Sequence, residues 1–480
     1  MTQEKQPSLI QSLIPLVFLV GLLAMNVIFY GDNSLGGANQ ITLLVSAGVA
    51  AIVAMISGAK WDKLFDGVVA SIGSALPALI ILLMIGALAG TWLISGVVPA
   101  MIYYGLEVLN PTIFLFATCL VTAIVSLATG SSWTTVATVG VALMGIGRIL
   151  GFSDGMIAGA IISGAYFGDK MSPLSDTTNL APAMAGTDLI THIKHMMWTT
   201  FPSFTIASLL FLILGFTSGS GADLQGVESL QTAIGSKFEV SLWLFLVPVA
   251  VIALIVKKVP AVPALLIGAI LGGLFAVLFQ PQIISSLAVE GAGFWKAAYM
   301  VVVDAMTTDI AIASGNPVAD ELLASGGMNG MLGTIWLIIC AMSFGGVMEA
   351  SGMLERIAQS ILHLAKTTGS LIASTAGTCI VFNTTASDQY LAIVVPGRMF
   401  AKEYEKRGLA PENLSRTLED SGTVTSALVP WNTCGAYHAG VLGVATGTYL
   451  PFAFFNLISP LMTVLFGYMG WKVNQMEKEN

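Results

Sequence analysis

Long apolar runs alternate along this chain with shorter segments that are rich in glycine, hydroxyl side chains and charge. A helix needs about 20 apolar residues to cross the hydrocarbon core of a bilayer, and several of these runs reach that length. The apolar runs predict helices near residues 9–30, 41–58, 66–94, 197–216, 241–256, 260–279, 328–349 and 450–470. This pattern predicts an all-α polytopic membrane protein embedded in a lipid bilayer.

The composition supports this class and argues against others. Of the 480 residues, 55% are hydrophobic and 10% are charged, whereas soluble domains carry about 25% charged residues. No basic tract is interleaved with aromatic residues, so nucleic-acid binding is not expected. The run 9–30 lacks a clear small-residue cleavage site, which favours a first transmembrane helix over a signal peptide. The four cysteines have no CxxC spacing and are expected to be free, buried thiols.

Four polar regions interrupt the apolar pattern, at 111–150, 154–192, 370–400 and 412–447. Charge at membrane depth is costly, and irregular backbone there is tolerated only inside the protein or beside a water-filled cavity. The segment Gly168–Asn179 contains three charged residues, four hydroxyls, an amide and a proline. A chain that keeps such a segment between apolar runs is expected to handle an ion or a polar solute in the bilayer.

The basic residues predict how the chain is oriented in the membrane. Loops that carry lysine and arginine face the cytoplasm, so both termini are expected there in a multi-pass protein of the cell inner membrane. The loops 31–40, 217–240 and 280–327 are acidic or neutral and are expected outside. The residues predicted to be cytoplasmic are Lys5, Lys60, Lys63, Lys194, Lys257, Lys258, Lys366, Arg398, Lys402, Lys406, Arg407 and Lys472.

This orientation predicts two re-entrant helical hairpins. The region 370–400 is flanked on both sides by residues predicted to be cytoplasmic, so it must enter and leave the membrane on one face, with its tip at Asn383–Asp388. The region 111–150 would enter from the outer face, with its tip at Thr129–Ser132. The regions 154–192 and 412–447 would be discontinuous helices, with breaks at 168–182 and 419–433.

The two halves of the chain also resemble each other in sequence at a constant offset of 256 residues. Because the predicted orientations of the halves are opposite, we expect inverted repeats, an arrangement common among secondary transporters. The matching residues are Gly90, Ser95, Gly96, Leu106, Ala117, Thr122, Ile124, Thr129 and Ser131 with Gly346, Ser351, Gly352, Leu362, Ala373, Thr378, Ile380, Thr385 and Ser387.

The predicted organisation follows from these repeats. Residues 1–60 form N-terminal transmembrane helices, and residues 61–216 form the first repeat. Linking helices and an external loop occupy 217–327, the second repeat occupies 328–470, and a cytoplasmic tail occupies 471–480.

The polar regions carry the oxygen atoms that a small hard cation such as Na⁺ requires. Unwound helices expose carbonyl groups, and half-helix ends direct their dipoles toward a site between them. Burial favours the protonated form of a carboxyl group, so H⁺ and Na⁺ can compete for the same oxygens. Asp169, Asp176 and Asp388 are candidate Na⁺ ligands. The full candidate site adds Ser131, Ser172, Thr177, Thr385, Ser387, Asp420, Thr423 and Asn432. Na⁺ and H⁺ are transported ions here, and no resident cofactor is expected.

The roles of three charged residues in these regions stay open. Asp169 and Asp420 are candidate equivalents in the two repeats. Lys170 is either a transport residue or the counter-ion of Asp169 or Asp176.

Three runs of residues resemble the signature of the NhaC-type sodium/proton antiporters. They are Gly168–Asp188, followed by His192-Ile-Lys-His195-Met196; Phe382–Tyr390; and Glu419–Cys434. The resemblance covers nearly the whole chain and implies exchange of Na⁺ for H⁺ by alternating access. It also implies inverted repeats with paired hairpins, and a homodimer.

Close relatives in that family exchange malate for lactate together with Na⁺ and H⁺, so the alternative function is a coupled organic acid exchanger. Small carboxylates would then be substrates, held by Lys170 and the hydroxyl-rich hairpin tips. An enzyme is not expected, because the chain has no HExxH or GxSxG motif or paired CxxC motifs. A passive channel is disfavoured, because buried titratable acids suit occupancy-coupled exchange better than fast conduction.

Overall fold

The computed structural model describes residues 7–30, 36–108, 110–218, 224–289, 291 and 293–476. The expectations for Lys5, for residues 31–35 and 219–223 of the outer loops and for tail residues 477–480 lie outside these described residues. The described chain is almost entirely helical, as the apolar pattern predicts. Its strands β1 (Ile310–Ala311) and β2 (Ala324–Ser325) form one short antiparallel ladder within the segment predicted as an external loop.

The helices of the first half and of the linking segment have the following bounds: α1 (Leu9–Tyr30), α2 (Ala38–Ile56), α3 (Trp61–Ile94), α4 (Val97–Val108), α5 (Phe114–Thr129), α6 (Ser132–Thr135), α7 (Val141–Ile149), α8 (Asp154–Met171), α9 (Asp176–Ala185), α10 (Leu189–Ser218), α11 (Leu224–Lys237), α12 (Leu246–Val256), α13 (Ala261–Phe279), α14 (Pro281–Leu287), α15 (Phe294–Thr307) and α16 (Pro317–Leu322).

The second half continues with α17 (Gly327–Ala350), α18 (Met353–Leu362), α19 (Thr368–Thr385), α20 (Gln389–Lys406), α21 (Pro411–Leu418), α22 (Thr433–Leu442), α23 (Thr446–Tyr449) and α24 (Phe454–Met469). Two π turns, Val136–Gly140 and Glu419–Thr423, continue α6 into α7 and extend α21.

Seven helices in the described residues are long and apolar enough to cross a membrane. Six of them coincide with predicted apolar runs, and the seventh, Pro111–Thr129, lies in a region predicted as a hairpin. The predicted runs 241–256 and 450–470 belong instead to helix pairs bent by 89° and 57°. The chain is therefore a multi-pass membrane protein.

Glycine allows the long helices to pack closely. A Cβ atom at Gly90 of α3 would lie 1.7 Å from the carbonyl oxygen of Ala305 in α15. A Cβ atom at Gly346 of α17 would lie 2.7 Å from the carbonyl oxygen of Gly67 in α3. Small residues at such contacts let membrane helices approach backbone to backbone. α3 thus packs closely against α17 and α15.

Two helix–turn–helix units occupy the predicted hairpin regions. α5 ends at Thr129, Gly130 takes a left-handed φ of 68°, and the next helix begins at Ser132. In the second unit α19 ends at Thr385 and α20 begins at Gln389, with Ser387 in the left-handed region between them. The turns coincide with the two predicted tips.

The structure contains the first predicted helix break where the sequence places it, but the second begins later in the chain. The first is confirmed, because α8 ends at Met171 and α9 begins at Asp176, with Pro173 between them. The second does not begin at Glu419, as the sequence had suggested, because helical turns continue to Leu428. Gly422 does not interrupt the helix; it permits a close approach to the carbonyl oxygen of Ala392, 3.0 Å from where a Cβ would lie. The interruption is the stretch 429–432, in which Val429 and Asn432 are extended and Pro430 and Trp431 form a turn.

Candidate functional site

Four helices begin at one cavity of about 720 Å³. The first residues of these helices, Ser132, Asp176, Gln389 and Thr433, all line it. A helix N-terminus has unpaired N–H groups and a partial positive charge, so it stabilises nearby negative charge. The cavity is thus the meeting point of both hairpin tips and both helix breaks.

Each of the four helices is capped by the side chain that precedes it. The hydroxyl of Ser131 accepts a hydrogen bond from the Thr134 amide, and that of Ser175 accepts one from the Thr178 amide. In the second half, Asp388 caps α20 and Asn432 caps α22. The caps form two pairs, 131 with 388 and 175 with 432, each separated by 257 residues. The spacing is one residue longer than the offset of 256 that matched Ser131 with Ser387 in the sequence, and its regularity is what a repeat predicts. The opposite orientation of the repeats stays a prediction.

Asp169 lies at the cavity near the end of α8 and is 6% exposed. Its Oδ2 atom accepts hydrogen bonds from the Ser132 hydroxyl at 2.6 Å and the Ser132 amide at 3.0 Å. Its Oδ1 atom is buried and makes no hydrogen bond to a residue that the structure describes. Because a buried acceptor without a partner is costly, this oxygen is the one best placed to receive a cation or a proton.

Asp176 and Asp388 line the same cavity from the two halves of the chain. Asp176 is exposed to the cavity; its Oδ1 accepts the Thr177 amide at 2.9 Å, and its Oδ2 accepts the hydroxyl of Tyr390. Asp388 is buried, and its Oδ1 accepts the Leu391 amide at 2.9 Å. The structure therefore brings together the three carboxylates predicted as Na⁺ ligands.

The predicted hydroxyl and amide ligands divide into two groups. Ser131 and Thr177 line the cavity. Ser172, Thr385, Ser387 and Asn432 flank it without lining it. Thr385 donates to the carbonyl oxygen of Val381 in its own helix, and Asn432 donates to Asn383 at the second hairpin tip. Of these flanking residues, the observed bonds give Thr385 and Asn432 a structural role.

Asp420 and Thr423 are not at the cavity. Asp420 is fully buried and forms an ion pair with Lys170, so the alternative in which Lys170 is the counter-ion of Asp169 or Asp176 is wrong. Asp169 lies six residues before its cap at 175, whereas Asp420 lies twelve before its cap at 432, so these two are not positional equivalents. Sequence spacing could not show that Lys170 pairs with Asp420. The consecutive residues Asp169 and Lys170 point about 100° apart on their helix, and only the fold determines which side chain each one meets.

The sequence-based site prediction missed several residues that line this cavity, including Ser132, Tyr390 and Lys258. Tyr390 follows Asp388 by two residues, and its proximity to a hairpin tip was the available signal. Lys258 is exposed and lies in the turn between α12 and α13 with a φ of 64°. Among the described residues that line the cavity, Lys258 is the one with a positive charge.

A second cavity, of about 850 Å³, lies at the opposite end of α8 and along α22. Asp154 at the start of α8 lines it, whereas Asp169 near the end of α8 lines the first cavity. Thr433 at the start of α22 lines the first cavity, and Ala439 and Gly440 toward the end of α22 line the second. Trp431, two residues before Thr433, also lines the second cavity, so the two cavities approach each other near the start of α22.

Aromatic side chains occupy the partition between the cavities. The rings of Trp133 and Tyr437 stack with centroids 4.0 Å apart, and the Tyr437 hydroxyl donates to the Trp133 carbonyl oxygen at 2.9 Å. The indole of Trp431 donates to the carbonyl oxygen of Thr384 at 2.7 Å. Each hairpin tip is therefore attached to the second broken helix by an aromatic residue.

Apolar spans, interrupted helices and three carboxylates at a cavity where those helices meet are features of a membrane transporter. Residues 164–471 match the Na⁺/H⁺ antiporter family. The chain is 39% identical over 431 residues to the Na⁺/H⁺ antiporter NhaC of Alkalihalophilus pseudofirmus, and the aligned residues cover 90% of each chain. This chain belongs to the Na⁺/H⁺ antiporter family.

Other relatives carry different substrate names. The chain is 37% identical over 433 residues to the malate-2H⁺/Na⁺-lactate antiporter of Bacillus subtilis, covering 90% of this chain and 89% of the relative. It is 35% identical over 480 residues to the arginine/ornithine antiporter ArcD of Halobacterium salinarum, covering 99% and 95%. Family membership is therefore compatible with more than one transported solute.

Proposed function

We propose that this protein exchanges Na⁺ for H⁺ across the cell membrane by alternating access. The observation that carries the proposal is the convergence of Asp169, Asp176 and Asp388 on one cavity, with an unpartnered buried oxygen on Asp169. Carboxylate and hydroxyl oxygens are the donors that a hard alkali cation accepts in broken-helix transporters. The match to the Na⁺/H⁺ antiporter family supports the same exchange.

The helix N-termini would make the site suitable for competition between ions. Their partial positive charges offset part of the cost of keeping three carboxylates in a membrane-embedded cavity. They repel a free cation weakly, so a cation is held only through the carboxylates. H⁺ and Na⁺ would then occupy the same oxygens in turn, and exchange follows when the site changes sides only while occupied.

The two cavities supply the access routes in this proposal. The first cavity lies beside Lys258, and by the positive-inside rule this side and both termini would be cytoplasmic in the inner membrane. The second cavity would be the outer route. A shift of the hairpins and broken helices against α2, α3, α13 and α17 would close one route and open the other. A homodimer, as the family resemblance implies, would hold the latter helices fixed.

An organic acid is a second candidate substrate. The cavity volume of about 720 Å³ falls within the range of about 300–1,000 Å³ that is typical of small-molecule sites, and it far exceeds the needs of one Na⁺. Lys170 cannot hold a carboxylate there, because it is paired with Asp420 and does not line the cavity. Lys258 and the helix N-termini would do so instead, with Na⁺ neutralising the aspartates.

Reconstitution into liposomes with an internal pH dye tests the proposal. A Na⁺ gradient alone should drive proton movement, and this movement should be saturable. Proton movement that requires malate or lactate on one side would establish the organic acid exchanger instead. Ion flux that continues without any counter-ion would indicate a channel and contradict both forms of exchange.

A further inference from the structure

The ion pair between Lys170 and Asp420 joins the two halves of the protein in its interior. Both side chains are 0% exposed, and the ammonium of Lys170 donates directly to Oδ1 of Asp420. Lys170 is the penultimate residue of α8, and Asp420 lies in the π turn that follows α21. The pair is separated by 250 residues in sequence.

Two further helices complete the surroundings of this pair. The hydroxyl of Thr199 in α10 donates to Oδ2 of Asp420 at 2.8 Å. The hydroxyl of Ser459 in α24 lies 3.1 Å from both Lys170 Nζ and Asp420 Oδ1. The charges of Lys170 and Asp420 thus compensate each other. Together with the hydroxyls of Thr199 and Ser459, the pair connects α8, the π turn after α21, α10 and α24. Neither residue lines either of the two cavities described above.

Lys170 directly follows Asp169, the carboxylate at the end of α8 that faces the first cavity. The hydroxyl of Thr178 in α9 lies 3.1 Å from the Lys170 carbonyl oxygen and 3.3 Å from that of Asp169. The ion pair of Lys170 with Asp420 holds the last turn of α8 outside the cavity, and Ser132 binds the Asp169 carboxylate at the cavity.

Two other acids could attract Lys170 if Asp420 lost its charge. One is Oδ1 of Asp169, and the other is the carboxylate of Glu419, whose oxygens are buried and make no hydrogen bond within the described ranges. A lysine side chain is long and flexible, and an unpaired buried ammonium is strongly disfavoured. A released Lys170 that turned toward Asp169 would place a positive charge beside the carboxylates of the cavity.

We propose that Asp420 is a positioning residue: it holds Lys170 as a fixed ion pair behind the cavity and thereby leaves Asp169 free for the transported cation. Asp420 does not itself bind that cation. Removing one partner of a buried ion pair is much more disruptive than replacing both partners by uncharged groups, which is often neutral. This difference separates a positioning pair from an ion ligand. The measurement of transport in its test rests on the proposed Na⁺/H⁺ exchange, whereas the measurement of stability does not.

A double-mutant cycle tests it in the full-length protein with Lys170→Met, Asp420→Asn and the double variant. In proteoliposomes, Asp420→Asn should raise the KM for Na⁺ by about tenfold or more, because a unit charge acts on the site across a low-dielectric interior. The double variant should return the KM to within about threefold of the wild-type value, since no charge is left uncompensated. Thr199→Val, which removes one neutral donor to Asp420, should change the KM by no more than about threefold.

The thermal midpoint of each purified variant provides a readout that does not depend on the transported ion. Both single variants should unfold at lower temperature than the wild type, and the double variant should recover most of the loss. A double variant that is folded but as defective toward Na⁺ as Asp420→Asn would overturn the proposal, because Asp420 would then act on the ion itself. Single variants with wild-type KM and midpoint would also overturn it. If the wild type moves no protons with Na⁺, the midpoints still test the pair, and only the proposed function fails.

Discussion

The hydroxyl of Tyr390 donates a hydrogen bond to Oδ2 of Asp176, and this bond connects the two halves of the protein across the first cavity. Tyr390 lies in the first turn of α20, whereas Asp176 is the first residue of α9. Hydrogen bonds to an ionised group are stronger than those between neutral groups. The bond therefore orients one of the three cavity carboxylates from the opposite half of the chain.

Replacing Tyr390 by phenylalanine should weaken Na⁺ binding more than it slows turnover. The substitution keeps the ring and removes only the donor to Asp176, so we expect the KM for Na⁺ to rise about three- to tenfold, with a smaller change in maximal rate. Dye-reported proton flux at a series of Na⁺ concentrations measures both quantities. Tyr468→Phe, on the exposed face of α24, is the matched control and should behave as the wild type. An unchanged KM in Tyr390→Phe would show that the hydrogen bond to Asp176 does not contribute to Na⁺ binding.

Asp169→Asn should abolish exchange. The change keeps the size of the side chain and an acceptor for Ser132, but it removes the negative charge, so Na⁺-driven proton flux should fall by about 100-fold or more. Asp188→Asn provides the control, because Asp188 accepts a hydrogen bond from the Thr191 amide and asparagine caps helices equally well. Substantial Na⁺-dependent flux in Asp169→Asn would remove this residue from the site.

The aromatic partition should influence which cavity is open. Tyr437→Phe keeps the stacking on Trp133 and deletes the hydrogen bond to its carbonyl oxygen, a loss of about 1 kcal/mol. If that contact is made in only one state, the population of the other state should rise several-fold. Labelling of Ala439→Cys, at the second cavity, by a membrane-impermeant thiol reagent should then become faster. The assay uses a background without the four buried native cysteines. An unchanged labelling rate would mean that the partition does not open at this contact.

Lys258 should distinguish the two candidate substrates. If small carboxylates enter the cavity, Lys258→Ala should reduce malate- or lactate-dependent flux by about tenfold, through loss of a charged partner. Lys257→Ala is a close control, because Lys257 is also exposed and basic but does not line the cavity. Equal organic acid flux in both variants would exclude Lys258 as the anion partner. Plain Na⁺/H⁺ exchange should persist in both.

The sequence predicted the fold and part of the site for different physical reasons. Apolar length predicted the spans, and the basic residues flanking the polar regions predicted the hairpins whose tips contain Ser131 and Asp388, because both signals can be read from residues near each element. The pairing of Lys170 with Asp420 could not be predicted, because it joins side chains 250 residues apart. For the same reason, the sequence did not indicate that Tyr390 contacts Asp176 or that Lys258 reaches the cavity.

The second helix break shows a further limit of sequence-based reasoning. The predicted break at 419–433 contains Gly422 and Pro430, but the helical turns continue past the glycine and end before the proline. The π turn at 419–423 keeps its backbone groups satisfied with side-chain donors, such as Asn383 to the Gly422 carbonyl at 2.7 Å. Such compensation comes from other elements and leaves no pattern in the local sequence.

The dependence of Na⁺-driven proton flux on both Na⁺ concentration and pH tests the central claim most directly. If H⁺ and Na⁺ occupy the same carboxylates in turn, the KM for Na⁺ should rise as the pH on the Na⁺ side falls, while the maximal rate at saturating Na⁺ stays nearly constant. Purely competitive behaviour of this kind in wild-type proteoliposomes, free of any organic acid, is the predicted result. A KM that is independent of pH, or no proton flux without an organic acid, would contradict the account.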